Sequence, residues 1–406
     1  MKSIPNTWRS MTVADVCDLR NGHSFGPEDW DTAGLPIIRI QNLNGGRKFD
    51  YFSGVPEDRW LVDPGQMLFS WAGTKGVSFG PTIWRGARGV LNQHIFKVQA
   101  KSGIDSEWLY WALKHVTNRI EAQSHGFKAT LVHVKKSDID RQPLTVPPIG
   151  EQHRIAEILS TWDQSIATAK RLLANSQRCT RDLMASMLSG HRRFPGFSEK
   201  WRYVDFDSVF ERVKRKNTTQ NANVLTISGE RGLISQREYF NKSVASADLS
   251  GYTLLHRYDF AYNKSYSAGY PMGAIKALLR YDAGVVSSLY LCFRLRADVD
   301  ADLDFFCHYF EAGMMNQQIE GIAQEGARNH GLLNVSVTDF FKLQLHLPSA
   351  PEQRRIAEVI NLARAEEARL QAQVHALRQE RAVLISQLLT GKRRVKLPDV
   401  ETEAQA

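Results

Sequence analysis

The chain has 406 residues, a formal net charge of +9 and a sequence pI near 9.3. Hydrophobic residues make up 43% and charged residues 23%, proportions typical of a globular protein with room for two to four domains. The basic excess favours an anionic partner such as nucleic acid.

Disulfides, zinc sites and membrane spans are disfavoured by the sequence. The cysteines form no CxxC or CxxH pair, and we expect reduced thiols at Cys17, Cys179, Cys292 and Cys307. The first residues lack the apolar segment of a signal peptide. No stretch approaches the roughly 18 apolar residues of a membrane span. We therefore expect a cytoplasmic protein without membrane contact.

In chain order, the first globular region reads as short strands followed by a helix. Short apolar or alternating runs at 35–40, 66–71 and 94–98 are bounded by turn residues and predict strands. Residues 106–121 have helical spacing. This mixture indicates a mixed α/β or α+β domain rather than a β-sandwich.

A block of sequence that follows this region returns later in the chain. Residues 151–159 read EQHRIAEIL and residues 352–360 read EQRRIAEVI, 201 positions further on. The same offset still separates Gly190 from Gly391. Because insertions collect in loops, a constant offset predicts a duplicated helix of fixed length, starting after prolines and ending at these glycines.

The second globular region resembles the first in kind, with a strand predicted at 289–295 and helical spacing at 302–320. Earlier matching positions are only 193 apart, such as Trp8 and Trp201, so the second copy has extra residues in its globular part. The predicted segments are a first globular domain at 1–146, a first spacer helix at 147–190, a second globular domain at 191–347, a second spacer helix at 348–395 and a C-terminal tail at 396–406.

Each long helix has an apolar stripe with the 4-3 spacing of a coiled coil, called here the seam. In the first helix the seam is Ile155, Leu159, Trp162, Ile166, Ala169, Leu173, Ser176, Thr180, Leu183 and Met187. In the second it is Ile356, Ile360, Ala363, Glu367, Leu370, Val374, Leu377, Arg381, Leu384 and Leu388. Two amphipathic helices that pack only on their own domains are the alternative.

The polar seam residues predict that the helices pair in antiparallel orientation. That pairing places Glu367 beside Ser176 and Arg381 beside Trp162, whereas parallel pairing places Glu367 against Ile166. A buried carboxylate costs less beside a hydroxyl, and Arg over an indole is favourable. The predicted fold class is α+β: two mixed α/β domains separated by two long antiparallel coiled-coil helices, with a pseudo-twofold internal duplication.

Catalytic motifs are missing, and nucleic-acid binding fits the loop residues better. The sequence contains no P-loop, no methyl-acceptor pocket motif of the [DNS]PP[YFW] type and no HExxH. Turn-flanked loops of both domains instead concentrate side chains that suit bases and phosphates. The first domain offers Arg39, Gln41, Asn42, Asn44, Arg47, Lys48, Trp71, Thr74, Lys75, Gln93, His94, Lys128 and Thr130. The second offers Ser228, Glu230, Arg231, Asn263, Lys264, Tyr266, Ser288, Arg328, Asn329 and His330.

The whole arrangement resembles the specificity subunit of type I restriction–modification systems. The similarity lies in the repeated proline-EQxxIAEIL segment at 147–159 and in its counterpart half a chain later. Residues 37–40, 262–263 and 126–131 also resemble stretches of that family's target-recognition domains.

The resemblance implies a non-catalytic subunit that reads DNA. Each target-recognition domain would bind one half of a bipartite asymmetric sequence in double-stranded DNA, and the helices would fix the spacer. Two methyltransferase subunits would dock on the chain, and motor–nuclease subunits would complete the complex. The chain itself would bind no cofactor or metal, because S-adenosylmethionine, ATP and Mg²⁺ belong to the partners.

The residues that hold the methyltransferase are not fixed by the family pattern. Candidates are the helix surfaces outside the seam, such as Arg171, Arg178 and Arg181, and the proline-rich helix entries. Alternative functions are a standalone DNA-acting enzyme or regulator with a bipartite site, and a scaffold without any DNA role.

Overall fold

The chain divides into two compact units that share the two long helices. The computed structural model describes residues 5–123, 131–229, 231–240, 248–267, 269–325 and 333–397. Unit 1 comprises residues 1–170 and 372–406, and unit 2 comprises residues 171–371. Each long helix begins in one unit and ends in the other.

The helices include the two 40-residue helices and several short ones. In chain order they are α1 Val13–Val16, α2 Ile40–Leu43, α3 Ser106–Gln123, α4 Lys136–Asp140, α5 Ile149–Leu188, α6 Phe206–Val209, α7 Gln236–Phe240, α8 Leu303–Glu311, α9 Asn316–Ile322, α10 Val337–Phe341 and α11 Ala350–Leu389. A short 3-10 turn spans Pro27–Asp29.

The strands are short. In unit 1 they are β1 Arg9–Thr12, β2 Cys17–Asn21, β3 Leu35–Ile38, β4 Tyr51–Phe52, β5 Leu61–Val62, β6 Met67–Ser70, β7 Ala72–Thr74, β8 Gly80–Ile83, β9 Gly89–Leu91, β10 Ile95–Ala100, β11 Leu131–His133 and β12 Pro143–Val146. In unit 2 they are β13 Arg202–Asp205, β14 Phe210–Arg212, β15 Leu225–Ser228, β16 Gly232–Ser235, β17 Thr253–His256, β18 Phe260–Asn263, β19 Ala274–Ala277, β20 Ala283–Val286, β21 Leu291–Leu295, β22 Gln324–Glu325, β23 Leu333–Asn334 and β24 Gln344–Leu347.

The two units repeat one sheet plan near the long helices. A four-stranded antiparallel sheet has the order β2-β10-β6-β8 in unit 1 and β14-β21-β18-β19 in unit 2. A two-stranded ladder, β1 with β12 or β13 with β24, leads directly into each long helix. The outer parts differ, because unit 1 has the sheet β4-β3-β9-β5 and unit 2 has the hairpin β15-β16 and the pair β17-β20.

In unit 1 the first part of α5 and the last part of α11 enter the same hydrophobic core. Ile155 and Leu159 lie in this core together with Ile385 and Leu388, and each of the four is at least nine-tenths buried. The apolar stripe of α3 packs into the same core, with Trp108 1% exposed. Burial of these side chains joins the helix ends to the domain.

In unit 2 the opposite ends of the same helices share a core. Met184 and Met187 from the end of α5 lie with Ile356 and Ile360 from the start of α11. In both units the start of one helix therefore accompanies the end of the other, which is antiparallel pairing. The predicted α+β class, the duplication and the antiparallel orientation are confirmed.

The long helices end as the repeated glycines predict. Gly190 has φ of 78° and Gly391 has φ of 70°, conformations that glycine adopts without strain. The amide of Gly190 bonds to the carbonyl of Met187 at 3.2 Å, and the amide of Gly391 bonds to that of Leu388 at 3.4 Å. No helix in the described part of the chain is long and apolar enough to cross a membrane.

Every predicted seam position is buried or half-buried. The polar seam residues have partners that the seam pattern did not predict. Glu367 is 9% exposed and accepts from Arg364 Nη1 on its own helix at 3.3 Å. Arg381 pairs with Asp163 and lies 6.0 Å from the ring of Trp111. The aromatic partner of Arg381 thus comes from α3 and not from the seam residue Trp162.

The predicted strands and helices of the globular regions are present, but one predicted helix is divided into two. The strand predicted at 35–40 ends at Ile38, because the backbone turns into α2 at Ile40. The helix predicted at 302–320 is two helices, α8 and α9. Gly313, with φ of 69°, lies between them and breaks the helical path.

Candidate nucleic-acid interface

Each unit contains a hydrogen-bonded attachment between the start of one long helix and the domain. In unit 1 the Gln152 side chain, 1% exposed, accepts from the amide of Asp105 at 2.8 Å and donates to the carbonyl of Pro147 at 2.9 Å. The Asp105 carboxylate in turn accepts from the amide of Trp108 at 2.7 Å, capping α3. One buried amide side chain therefore fixes both the helix entry and the start of the domain helix.

Unit 2 repeats this attachment at the equivalent positions. Gln353 accepts from the amide of Asp302 at 3.1 Å and donates to the carbonyl of Pro348 at 3.1 Å. Asp302 caps α8 by accepting from the amide of Phe305 at 2.8 Å. The same three contacts thus hold both domains on their helices.

A buried carboxylate next to each glutamine binds an arginine that follows the other long helix. Glu151 accepts from Arg394 Nε at 2.7 Å and from the indole of Trp8 at 3.3 Å. Glu352, 1% exposed, accepts from Arg193 Nε at 2.9 Å and Nη2 at 2.7 Å. These contacts raise the pKa of both arginines. The repeated EQ pair is therefore the junction between each helix start and the basic segment after the partner helix.

Unit 1 brings one group of predicted DNA-contacting residues together around Trp71. The Trp71 indole donates to the carbonyl of Gln93 at 3.1 Å, and its ring centroid lies 5.1 Å from that of His94. The ring of His133 on β11 lies 4.8 Å from the same indole. Strand β7 pairs with β11, with Ala72 opposite His133, and the exposed Thr74 lies at the other end of the same strand.

The loop at 39–48 forms a second group in unit 1. Arg39 pairs with Asp50 and lies 4.7 Å over the ring of Trp30, so its guanidinium is held within the domain. Asn42, 7% exposed, accepts from the Arg39 amide at 2.9 Å and donates to the carbonyl of Lys48 at 2.8 Å. These residues shape the loop, while its exposed side chains are Gln41, Asn44, Arg47 and Lys48.

In unit 2 two predicted segments meet at the hairpin turn of β15 and β16. The Ser228 hydroxyl accepts from the amide of Arg231 at 3.3 Å, which closes the turn. The Tyr270 hydroxyl, from the loop after β18, bonds to the carbonyl of Gly229 at 3.1 Å. The loop that contains Asn263, Lys264 and Tyr266 is thereby joined to the turn.

Side chains in this joined surface differ in how accessible they are. Lys264 points to the carbonyl of Val335 at 3.5 Å, and burial lowers the pKa of its amine. Arg231, Tyr266 and Ser288 are exposed. The predicted residues Lys128, Thr130, Glu230, Arg328, Asn329 and His330 lie outside the described residues.

The comparisons with known proteins show which family this arrangement is similar to. Residues 5–175 match the family model described as the Type I restriction modification DNA specificity domain. The Type I restriction enzyme EcoBI specificity subunit of Escherichia coli is 28% identical over 175 residues, which are 42% of this chain and 35% of that protein. The first part of the chain is therefore similar to the type I restriction–modification specificity subunits. The chain spans about a third of the length of this curated relative.

Solved structures share the fold over nearly the whole chain. The crystal structure of the type I restriction–modification S subunit from M. genitalium has a TM-score of 0.53 at 15% identity and covers 96% of this chain and 97% of its own. A structure from work on complex assembly and conformational transition of the type I R-M system has a TM-score of 0.59 at 14% identity and covers 97% and 100%. At these identities the likeness establishes the fold.

Several side chains that shape the candidate interface were not singled out by the sequence. In unit 1 they are Glu121 and His133, and in unit 2 they are Lys276 and Glu311. Two of them could have been found from the sequence pattern, because Glu121 lies on the apolar stripe of α3 and Lys276 interrupts the apolar strand β19. A charge in an apolar pattern marks an internal polar contact. Among the described residues, no group of His, Cys, Asp or Glu side chains is arranged to hold a metal ion.

Proposed function

We propose that this chain is a type I restriction–modification specificity subunit that reads a bipartite DNA sequence, with unit 1 recognising one half-site and unit 2 the other. The most direct support is the contrast between the helix attachments, which the two units share, and the outer strands and loops, which they do not. The helix attachments through Gln152 and Gln353 are the same, while the outer strands and loops differ. An asymmetric two-part target requires two domains that are attached to the helices in the same way but have different DNA-contacting surfaces.

The proposed reading surfaces are the exposed polar loops described above. Arg47, Lys48 and Arg231 suit phosphates or guanine edges, and Gln41 and Asn44 suit adenine. The basic net charge of +9 supports association with DNA through its phosphates. Catalysis is absent from this role, since methyl transfer and cleavage would be performed by partner subunits.

The experiment is selection of randomised duplex DNA by the full-length chain, followed by sequencing of the bound fraction. The expected result is two defined half-sites separated by an unread spacer of constant length. Enrichment of a single contiguous site would contradict the bipartite proposal. Binding without any sequence enrichment would contradict target recognition and favour a scaffold.

We further propose that α5 and α11 set the spacer length. Inserting one heptad after Leu173 and another after Leu370 keeps the apolar seam in phase and adds about 10 Å of helix. The expected result is a spacer longer by up to about three base pairs with both half-sites unchanged. The control replaces an existing heptad at each place with one of the same pattern, without a change in length. An altered half-site with an unaltered spacer would count against this proposal.

Methyltransferase subunits would dock on the helix surfaces outside the seam. Arg171, Arg178 and Arg181 are exposed on the part of α5 in unit 2 and present three positive charges there. Reversing these charges to Glu should weaken co-purification with an adenine methyltransferase from the same operon. Reversal of the exposed Arg237, on the short helix α7, is the matched control and should leave co-purification unchanged.

A further inference from the structure

We infer that in each unit a carboxylate on the domain helix fixes the conformation of a reading loop, so that Glu121 and Glu311 are positioning residues for base selection. This inference rests on the proposed function. The two glutamates are not among the residues proposed above to contact DNA. The argument begins with the contacts in unit 1.

In unit 1 the helix-borne group is Glu121 near the end of α3, 8% exposed. Its Oε1 accepts from the amide of Gly76 at 2.7 Å, and its backbone carbonyl accepts from Lys75 Nζ at 2.7 Å. Gly76 has φ of 69°, so the tip of the turn has a conformation that few other residues adopt. The helix end therefore holds the turn at two adjacent residues.

The other end of this turn is held by strand pairing and by a bond to the Ser78 side chain. Strand β7 pairs with β11, and the Thr74 amide donates to Ser78 Oγ at 2.7 Å. With both ends fixed, the exposed Thr74 is presented in one geometry. The Lys75 amine is engaged by the helix, so its contribution is to the shape of the turn.

In unit 2 the corresponding group is Glu311, the last residue of α8. It accepts from the Tyr270 hydroxyl at 2.8 Å and pairs with Lys276, whose side chain is 12% exposed. Lys276 Nζ also lies 3.1 Å from the carbonyl of Gly229 and 2.9 Å from the Tyr270 hydroxyl. This set of contacts fixes the hairpin turn that presents Arg231.

The packing around Gly229 leaves little freedom for this turn. A Cβ added at Gly229 would lie 2.9 Å from Tyr270 Cε2, so the ring lies directly against the backbone of the turn. A half-buried ion pair costs desolvation that it recovers only through close geometry and further hydrogen bonds. Here those further bonds go to the turn, which couples the ion pair to the loop conformation.

The two carboxylates occupy different positions in the duplicated sequence. Asp105 and Asp302 cap α3 and α8 in the same way and therefore align the two helices. Counted from these caps, Glu311 corresponds to Lys114 rather than to Glu121. Each unit thus stabilises its loop with a carboxylate at a different position of the domain helix. This indicates that both units require a fixed loop conformation. Sites that must discriminate depend on such surrounding contacts to hold them within a fraction of an ångström.

The test compares half-site preferences of full-length variants by selection from randomised duplex DNA. Glu121→Leu removes the acceptor of the Gly76 amide, and Glu121→Gln retains an oxygen at the same place. We expect the Leu variant to lose at least about tenfold discrimination at one or more positions of the first half-site. The second half-site should be unchanged, and the Gln variant should resemble the wild type.

The reciprocal pair is Lys276→Met and Lys276→Arg in unit 2. The Met variant should relax only the second half-site, and the Arg variant should retain its preference in large part. Each unit is thereby the internal control for the other. Preferences unchanged in Glu121→Leu and Lys276→Met, with wild-type thermal unfolding, would overturn the inference.

Lys75→Met provides a milder variant of the unit 1 loop in case Glu121→Leu does not fold. It should relax the first half-site without loss of stability. If Lys75 instead contacts a phosphate, affinity should fall uniformly over all sequences and the salt dependence should weaken by about one ion. That outcome would overturn the inference for unit 1. A wild-type chain that selects no bipartite sequence would instead refute the proposed function.

Discussion

Gln152 in unit 1 makes three bonds and Gln353 in unit 2 makes two, and the two bonds that are equivalent are shorter in unit 1. Gln152 donates to the carbonyls of Pro147 at 2.9 Å and Gly103 at 3.2 Å and accepts from Asp105 at 2.8 Å. Gln353 makes its two bonds at 3.1 Å each. The two copies have the same kind of attachment, and its hydrogen-bond distances differ between them.

The seam beside these attachments diverged further. Position 381 in unit 1 is an arginine paired with Asp163, whereas the equivalent residue in unit 2 is Thr180, whose hydroxyl donates to the Ser176 carbonyl of its own helix at 3.0 Å. Conversely, the buried Glu367 of unit 2 corresponds to Ile166 in unit 1. The contacts that join helix to domain are thus shared, and the polar contacts between helices are particular to each unit.

The largest predicted effect on stability comes from breaking an attachment. Gln152→Leu keeps the volume but leaves the buried Asp105 amide and the Pro147 carbonyl without partners. We expect unit 1 to be destabilised by about 3 kcal/mol, because each unpaired buried group costs about 1–3 kcal/mol. Hydrogen exchange of α3 amides, compared with those of α8, measures this loss unit by unit.

The same change in unit 2 tests whether the difference in geometry matters. Gln353→Leu should cost somewhat less than Gln152→Leu, about 2 kcal/mol, since fewer and longer bonds are lost. Gln164→Leu, at an exposed position of α5, is the control and should have little effect. Equal losses in the two units would show that bond length and number are irrelevant here.

Much of the helical part of the fold was predictable because several constraints coincide there. Constant offset, apolar stripe and terminal glycine all depend on the backbone periodicity of a helix, so the ends near Gly190 and Gly391 followed from them. The antiparallel orientation was predicted separately, from the polar residues of the seam. The partner of Arg381 did not follow, because Trp111 reaches it from a helix of the domain. A stripe on one helix contains no information about such a third element.

The candidate interface was predictable only at the level of which loops are polar. Asn42 and Lys75 have the chemistry of base or phosphate contacts, but Asn42 is buried within its own loop and the Lys75 amine binds the end of α3. Residue type states what a side chain can bond to, and tertiary packing determines which partner it meets. For the same reason Glu121 and Lys276 were overlooked, since their partners are distant in sequence.

A smaller effect is expected from making the seam of unit 1 resemble that of unit 2. Arg381→Thr removes the pair with Asp163, whose side chains are 25% and 39% exposed. Because an ion pair this exposed is screened by solvent, we expect a loss of about 1 kcal/mol or less, decreasing with added salt. A double-mutant cycle with Asp163→Asn measures the coupling. A loss that is independent of salt would assign the effect to the Trp111 contact instead.

The smallest predicted effect appears only on acidification and is expected to be greater in unit 2. Burial lowers the pKa of His308 and His346 in unit 2, and burial together with Arg119 lowers that of His115 in unit 1. The unfolded chain therefore binds protons at a higher pH than the folded chain, so stability is complete above the ordinary pKa of 6.5 and falls as the pH drops below it.

His308 allows this pH dependence to be isolated, because its Nε2 lies 2.7 Å from Asn361 Oδ1 and Asn361 donates to Asp304 at 2.8 Å. Since Asn361 already uses its amide nitrogen for Asp304, its oxygen accepts from His308, and Gln at this position retains a donor without titrating. The difference in unfolding midpoint between pH 7.5 and pH 6 should therefore be smaller in His308→Gln than in the wild type, whereas the exposed His375→Gln should leave it unchanged. An unaltered difference in His308→Gln would place the acid sensitivity of unit 2 in other groups, His346 first among them.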